Sequence, residues 1–203
     1  MQVINKLKRK NIPIVLADRG IKDSDFDFVT TNNFEGSRQI TQHLINRGHR
    51  KIAFLSNKLY STERLRYDGF ISKMKELKIA QDPSITILDK SAFNVNRYLN
   101  HAHKILKNRK KFTAVYAGHD RIALLFYAAA KNLGLNVPED FSLVGYDNMP
   151  LTTVALTTMH QPIYEMGEES IKLIVSRIKK ESNNTKNIIL KSNLIDRTSV
   201  NSI

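Results

Sequence analysis

Two pairs of polar residues follow apolar segments of the kind that form buried parallel β-strands. His119 and Asp120 come after TAVYA, and Asp147 and Asn148 come after FSLVGY. In open α/β sheets, ligands bind beyond the carboxyl ends of the strands, so both pairs are expected at one edge of a sheet. These side chains are hydrogen-bond donors and acceptors, which suits ligand binding.

Two charged residues are the main candidates for holding a ligand. The Asp147 carboxylate can accept hydrogen bonds from two hydroxyl groups, as polyol recognition requires, or it can form an Asx-turn with Asn148. Arg66 begins a predicted helix directly after a strand, where its guanidinium can fork onto a carboxylate, a phosphate or vicinal hydroxyls. The alternative for Arg66 is a surface ion pair with Glu63 or Asp68.

Three further residues at the same edge have predicted roles. Asp120 is expected to be a structural cap of the helix 121–133, because a carboxylate at this position can satisfy free backbone N–H groups. His119 precedes the cap and is expected to face the ligand. Phe93 lies in a loop after a strand, where its ring can stack on a sugar or a base, or pack into the core.

The sequence contains no motif for catalysis or for a cofactor. Nucleophile elbow, P-loop, GxGxxG and HExxH patterns are all missing, so neither catalytic residues nor cofactors are predicted. His101 and His103 are close in sequence, but residues two apart on a helix point to different faces. No metal site is therefore predicted.

Composition limits the class of protein. A hydrophobic content of 41% supports a globular core, and the chain lacks cysteine, a signal peptide and an apolar run of membrane-spanning length. These features predict a cytoplasmic protein without membrane association. With 32 Lys+Arg and 19 Asp+Glu the net charge is +13, which indicates either a nucleic-acid footprint or a solvated lysine-rich surface. The scattered lysines favour the second interpretation.

The elements that must position the candidate residues alternate along the chain. Strand-like segments IVLAD, FDFVTT, KIAFLS, ITIL, TAVYA and FSLVGY are separated by amphipathic helical segments, and IYEMGEESIKLIVSRIKK is a further helix. Such alternation predicts an α/β fold with a largely parallel sheet covered on both faces, a three-layer α/β/α arrangement.

Several motifs together resemble one family. HLINRGHRKIAFLSN, ERLRYDGF, HDRIAL, LGLNVPEDFSLVGYDNMPL, LTTMHQPIYEMGEESIKLI and LIDRTS resemble, in order and spacing, the effector-binding domain of LacI/GalR-type transcriptional repressors. The resemblance implies a periplasmic-binding-protein-like fold with two parallel-sheet lobes and crossovers between them. The N-terminal lobe would comprise residues 1–47 and 160–182, and the C-terminal lobe residues 48–159 and 183–203.

The resemblance also implies roles for site residues. Arg66 matches an arginine that reaches ligand hydroxyls or charged groups, and Asp147 matches the acid of the GYDN motif. Phe93 falls where an aromatic platform is common. The loop in which the first lobe contributes polar contacts corresponds to Asn33, Phe34 and Glu35. His119 departs from the family pattern, in which asparagine is common.

The resemblance further implies a regulator whose DNA-binding part is missing from this sequence. The helix-turn-helix and the first βα units of such repressors have no counterpart here, so an N-terminally truncated first lobe is expected. The implied partners are a sugar, sugar phosphate or nucleoside effector, a second subunit in a homodimer, and operator DNA through the missing domain. An extracytoplasmic solute-binding protein of a sugar transporter is the alternative function, and an enzyme is not expected.

Overall fold

The structure is a computed structural model that describes residues 2–19, 26–150, 154–181 and 184–203. In chain order, the elements are α1 (Gln2–Arg9), β1 (Val15–Ala17), β2 (Asp27–Thr31), α2 (Asn33–Asn46), β3 (Ile52–Asn57), α3 (Ser61–Glu76), β4 (Thr86–Asp89), α4 (Val95–Leu106), β5 (Ala114–Ala117), α5 (Asp120–Asn132), β6 (Ser142–Val144), β7 (Thr158–His160), α6 (Ile163–Ile178), β8 (Asn187–Leu190) and β9 (Asn193–Ile195). Each predicted strand overlaps an observed one, whereas α1 lies outside the predicted elements.

The larger of two compact units contains a four-stranded parallel sheet with helices on both faces. This unit comprises Asn33–Gln161 and Ser192–Ile203, and its strand order is β4-β3-β5-β6. Ala53 and Leu55 of β3 pack with α4 and α5, and the alternate residues Ile52 and Phe54 pack with α2 and α3. A strand buried on both faces must be apolar throughout, which explains the continuous hydrophobic run of β3 and confirms the three-layer α/β/α prediction.

The smaller unit comprises Met1–Asn32 and Pro162–Lys191 and has its own parallel sheet, in the order β1-β2-β8. Met166 and Leu173 lie seven residues apart on α6, so they share one face, and both pack against Val29 of β2. Arg177 at the end of α6 forms a bidentate ion pair with Asp27 at the start of β2, with distances of 2.5 and 2.7 Å. This ion pair fixes the end of the helix on the sheet.

The boundaries of these units differ from those of the predicted lobes. Helix α2 was expected in the first lobe, but it belongs to the larger unit because it packs closely on α3: a Cβ atom on Gly69 would lie 2.3 Å from the Phe34 carbonyl oxygen. Strand β8 was expected in the second lobe, but it pairs in parallel with β2 of the smaller unit. The remaining strands β7 and β9 form a separate antiparallel pair in the larger unit.

Candidate ligand-binding site

Arg66 is the centre of the candidate site. Only 3% of the residue is exposed, and its guanidinium donates to Asn33 Oδ1 and to the Gly118 carbonyl oxygen, both at 2.8 Å. A third nitrogen lies 3.1 Å from Asp147 Oδ1, and the group sits 3.8 Å from the centroid of the Tyr146 ring. The fork geometry of arginine allows one side chain to connect all these elements. The predicted residues Arg66 and Asp147 are thus brought together.

Asp147 occupies a turn with an unusual backbone. Its φ is 113° and that of Asn148 is 55°, both in the left-handed range. Its Oδ1 accepts from Gln161 Nε2 at 2.7 Å in addition to pairing with Arg66, and the side chain is 23% exposed. The Asn148 side chain is engaged elsewhere, with Arg197 at 2.7 Å. Asp147 Oδ1 therefore faces the Arg66 guanidinium and the Gln161 amide.

The predicted cap role of Asp120 is wrong, because His119 occupies the N-cap position. The His119 backbone is extended and its Nδ1 accepts the Ile122 N–H at 3.3 Å, whereas Asp120 is the first helical residue. The Asp120 carboxylate accepts the Met149 N–H at 2.8 Å and the Thr158 hydroxyl at 2.7 Å. Burial raises the pKa of Asp120 to about 6, partly offset by these two hydrogen bonds. Aspartate is commoner than histidine at the N-cap position, but here Met149 after β6 and Thr158 of β7 supply competing donors.

His119 has both ring nitrogens engaged. Because Nδ1 accepts a hydrogen bond from the backbone, the neutral ring carries its proton on Nε2. That nitrogen lies 3.5 Å from Oε1 of the buried Glu63. The ring is also 5.6 Å from that of Phe93, at an interplanar angle of 50°. His119 thus joins α3 to the loop that carries Phe93, and Glu63, which the sequence suggested only as an ion-pair partner of Arg66, enters the site beside His119.

Phe93 is only partly available as a stacking platform. Its ring stacks on Tyr98 with centroids 5.0 Å apart and packs against the core around α4 and α5. The Arg121 guanidinium lies 4.3 Å from the ring centroid. The Phe93 ring therefore packs against the core and also contacts the Arg121 guanidinium, so both groups limit its availability for stacking on a ligand.

The three residues expected from the first lobe lie instead at the start of α2 in the larger unit. Asn33 is buried and accepts from Arg66, so it belongs to the site. Glu35 pairs with Arg38 at 3.3 Å, and Phe34 has the Arg38 guanidinium 5.9 Å from its ring centroid. These contacts place Phe34 and Glu35 beside Arg38, whereas Asn33 accepts a hydrogen bond from Arg66.

Two residues of the site carried no signal in the sequence. Tyr146 is fully buried and its ring lies against the Arg66 guanidinium. In the sequence it ends the apolar run FSLVGY, which predicts a core residue rather than a site residue. Gln161 reaches back to Asp147 from the segment after β7. Its side chain becomes a candidate only when the pairing of Asp147 with the end of β7 is known. Aromatic and amide partners of this kind require three-dimensional proximity that spacing does not reveal.

Residues 2–19, 26–150, 154–181 and 184–203 contain no group of three or more His, Asp or Glu side chains that could hold a metal ion. Within the same ranges, every helix is too short or too polar to span a bilayer.

Comparison with known proteins identifies related sequences and structures. The profile of the periplasmic binding protein-like domain matches residues 41–200. The chain is 35% identical over 196 residues to the HTH-type transcriptional repressor PurR of Pectobacterium carotovorum, and 36% identical over 197 residues to that of Serratia proteamaculans. In both cases the match covers 94% of this chain and 57% of the relative, so the chain spans little more than half the length of these repressors.

Solved structures give the same picture. A LacI family transcriptional regulator from Enterococcus faecium with bound ribose superposes with a TM-score of 0.88 and 27% identity, covering 100% of this chain and 76% of that one. A complex of the transcriptional regulator CelR with cellobiose gives a TM-score of 0.88 and 26% identity, covering 98% and 62%.

Proposed function

Because the chain belongs to the family of periplasmic binding protein-like domains, in the form that LacI-type transcriptional regulators carry, we propose that it is the ligand-sensing part of such a regulator. The observation that carries the proposal is the buried Arg66, 3.1 Å from the partly exposed Asp147 carboxylate beyond the carboxyl ends of β3, β5 and β6. The effector would be a sugar, a sugar phosphate or a nucleoside. Ribose and cellobiose are bound in the two regulator structures named above.

The side chains of Arg66 and Asp147 suit the binding of a polyhydroxylated ligand. Arg66 supplies donors, and Asp147 supplies an acceptor with part of its surface exposed. Vicinal hydroxyls both donate and accept, so they can bridge a guanidinium and a carboxylate without leaving either group unpaired. Because Asn33, Gly118 and Tyr146 already fix the guanidinium, ligand binding would cost little reorganisation at Arg66.

Regulation would follow from differential affinity. A ligand changes a conformational equilibrium only by the difference between its affinities for the two states. In a homodimeric regulator, the state favoured by the ligand would change the placement of two helix-turn-helix domains on operator DNA. This activity requires a DNA-binding domain outside the present sequence and implies a cytoplasmic location. Catalysis forms no part of the proposal.

Calorimetry tests the ligand site. Ribose, ribose 5-phosphate, glucose, cellobiose and adenine would be titrated into the wild-type chain and into Arg66→Ala and Asp147→Ala. Each substitution removes one partner of a hydrogen-bonded charge pair, so the affinity should fall by about tenfold or more. Arg109→Ala is the matched control, because its guanidinium packs on Phe112 and Phe141 near the start of β5, at the opposite edge of the sheet. Unchanged affinity in both site variants, with folding intact, would sink the assignment.

The transporter alternative shares the same binding wall and is distinguished by genetic context. The named relatives are transcriptional regulators, which favours regulation. A helix-turn-helix coding sequence upstream of Met1 in the gene would agree with the proposal, whereas a signal-peptide coding sequence there would favour transport.

A further inference from the structure

The turn that presents Asp147 needs to be held in place. Two consecutive residues other than glycine, Asp147 and Asn148, have positive φ values of 113° and 55°. L-residues with side chains disfavour this region, and such conformations persist only where surrounding contacts determine them. The Asp147 N–H donates to the Met159 carbonyl oxygen at 2.8 Å, which fixes one side of the turn.

Asp120 contacts the other side of the turn and the strand behind it. Its Oδ2 accepts the Met149 N–H at 2.8 Å, and its Oδ1 accepts the Thr158 hydroxyl at 2.7 Å. The Thr158 oxygen in turn accepts the Asn148 N–H at 3.3 Å. The backbone N–H of Asp120 donates to the Tyr146 carbonyl oxygen at 2.8 Å. Asp120 is thus hydrogen-bonded, directly or through Thr158, to residues immediately before, within and after the turn.

The surroundings of Asp120 are shaped to admit its carboxylate. A Cβ atom added to Gly145 would lie 2.1 Å from Asp120 Oδ1, so only glycine allows the backbone before the turn to approach this closely. Asp120 itself is 1% exposed, which prevents direct contact with a ligand in this conformation. The Asp120 carboxylate therefore contacts protein groups, Met149 and Thr158, rather than a ligand.

We propose that Asp120 is a positioning residue for the ligand site, which holds the strained turn so that the Asp147 carboxylate stays against Arg66. This inference rests on the proposed function, because its principal consequence is a change in ligand affinity. The role depends on hydrogen-bond geometry rather than charge. An asparagine can accept from Met149 with its amide oxygen and donate to the Thr158 oxygen with its amide nitrogen, whereas alanine does neither.

A double-mutant cycle separates this role from a general contribution to folding. Affinity for ribose, or for the tightest-binding of the other four probes, would be measured for Asp120→Ala, Asp147→Asn and the double variant. Losing the hydrogen bonds to Met149 after the turn and to Thr158 of β7 should weaken binding by about tenfold in the wild-type background. It should cause no further loss in the Asp147→Asn background, because Asp120 acts through Asp147. Equal losses in both backgrounds would overturn the proposal.

Two further variants keep the test decisive. Asp120→Asn should bind within about threefold of wild type, because the amide preserves both contacts; binding as weak as that of Asp120→Ala would contradict the geometric role. Asp140→Asn is the matched control for charge, since this carboxylate accepts the Asn136 N–H in the loop before β6. If Asp120→Ala does not fold, Thr158→Val replaces it in the cycle and should show the same non-additivity.

The positioning role of Asp120 can also be tested without a ligand, by hydrogen exchange in the turn. If the wild-type chain binds none of the five probes, hydrogen exchange of the Met149 amide decides the question. This amide donates to Asp120, so its exchange should accelerate at least about tenfold in Asp120→Ala or Thr158→Val relative to Asp140→Asn. Equal exchange rates in these proteins would overturn the positioning role.

Discussion

Replacing Asp120 by asparagine should change how the free energy of unfolding depends on pH. Burial raises the pKa of this carboxyl from 3.8 to about 6. The folded protein therefore retains the proton to a higher pH than the unfolded chain does. The contribution of Asp120 to stability is then full below pH 3.8 and is lost as the pH rises through about 6.

The size of this effect follows from the two pKa values. Their separation of roughly two pH units corresponds to about 3 kcal/mol in total. Between about pH 5 and about pH 7.5 the folded carboxyl ionises while the unfolded one is already charged, so about 1.4 kcal/mol should be lost. Asparagine cannot ionise, and its folded-state contacts should be the same at both pH values.

Urea unfolding at about pH 5 and about pH 7.5 measures the effect. The wild-type chain should lose about 1.4 kcal/mol relative to Asp120→Asn between these conditions, because other titrating groups contribute equally to both proteins and cancel. Asp140→Asn removes the same charge from an exposed loop and serves as the control. A relative change below about 0.5 kcal/mol, or one of opposite sign, would refute the conclusion that burial governs the ionisation of Asp120.

For two other groups, His49 and Asp27, the free energy of unfolding should change with pH in the direction opposite to that for Asp120. His49 lies 2.9 Å from Thr113 Oγ1 and 3.1 Å from the Asn201 carbonyl oxygen, and burial lowers its pKa from 6.5. Stability should therefore fall as the pH drops below 6.5, and His49→Gln should flatten this part of a urea-unfolding series; an unchanged slope would argue against it. In the smaller unit, Arg177→Met should lower the free energy of unfolding at neutral pH, because it leaves the buried Asp27 carboxylate without the guanidinium that pairs with it. The Arg177 hydrogen bond is the main cause that lowers the pKa of Asp27 below 3.8. The cost should therefore shrink as the pH falls below 3.8 and vanish once the pH is below the lowered pKa of Asp27, and a cost that persists in stronger acid would exclude the ion pair as its source.

The sheet of the larger unit could be predicted because its strands obey a simple constraint. Strands β3 and β5 are covered by helices on both faces, so they appear in the sequence as short apolar runs between polar turns. The helices of this unit could be predicted from the helical spacing of their apolar residues. The unit to which α2 and β8 belong could not be predicted, because an apolar helix face or strand does not specify which sheet it completes. The assignment of β8 depends on its pairing with β2 over more than a hundred positions, such as Val29 with Ile188, and that of α2 depends on its close packing against α3.

The proximity of Arg66 and Asp147 could be predicted because the sheet is parallel. Arg66 and Asp147 follow different strands of one parallel sheet, and topology alone brings the carboxyl ends of those strands to the same edge. The role of Asp120 was misjudged because cap preferences describe a residue and its own helix. Here the decisive donors, Met149 and Thr158, come from other segments. The parallel topology therefore identified the edge of the sheet, whereas local preferences did not identify the partners of each side chain.

Asp120 and Asp147 have different proposed roles because their hydrogen-bond partners differ in charge. Asp120 is held by a backbone N–H and a hydroxyl, which are neutral donors, so its burial is not offset by a counter-charge and the protonated form is favoured up to about pH 6. Asp147 faces the Arg66 guanidinium, and a cation at this distance stabilises the charge of a carboxylate. Only Asp147 therefore combines a paired negative charge with an exposed surface. A ligand that donates hydroxyl hydrogens should consequently bind at Asp147, with Asp120 fixing the turn from behind.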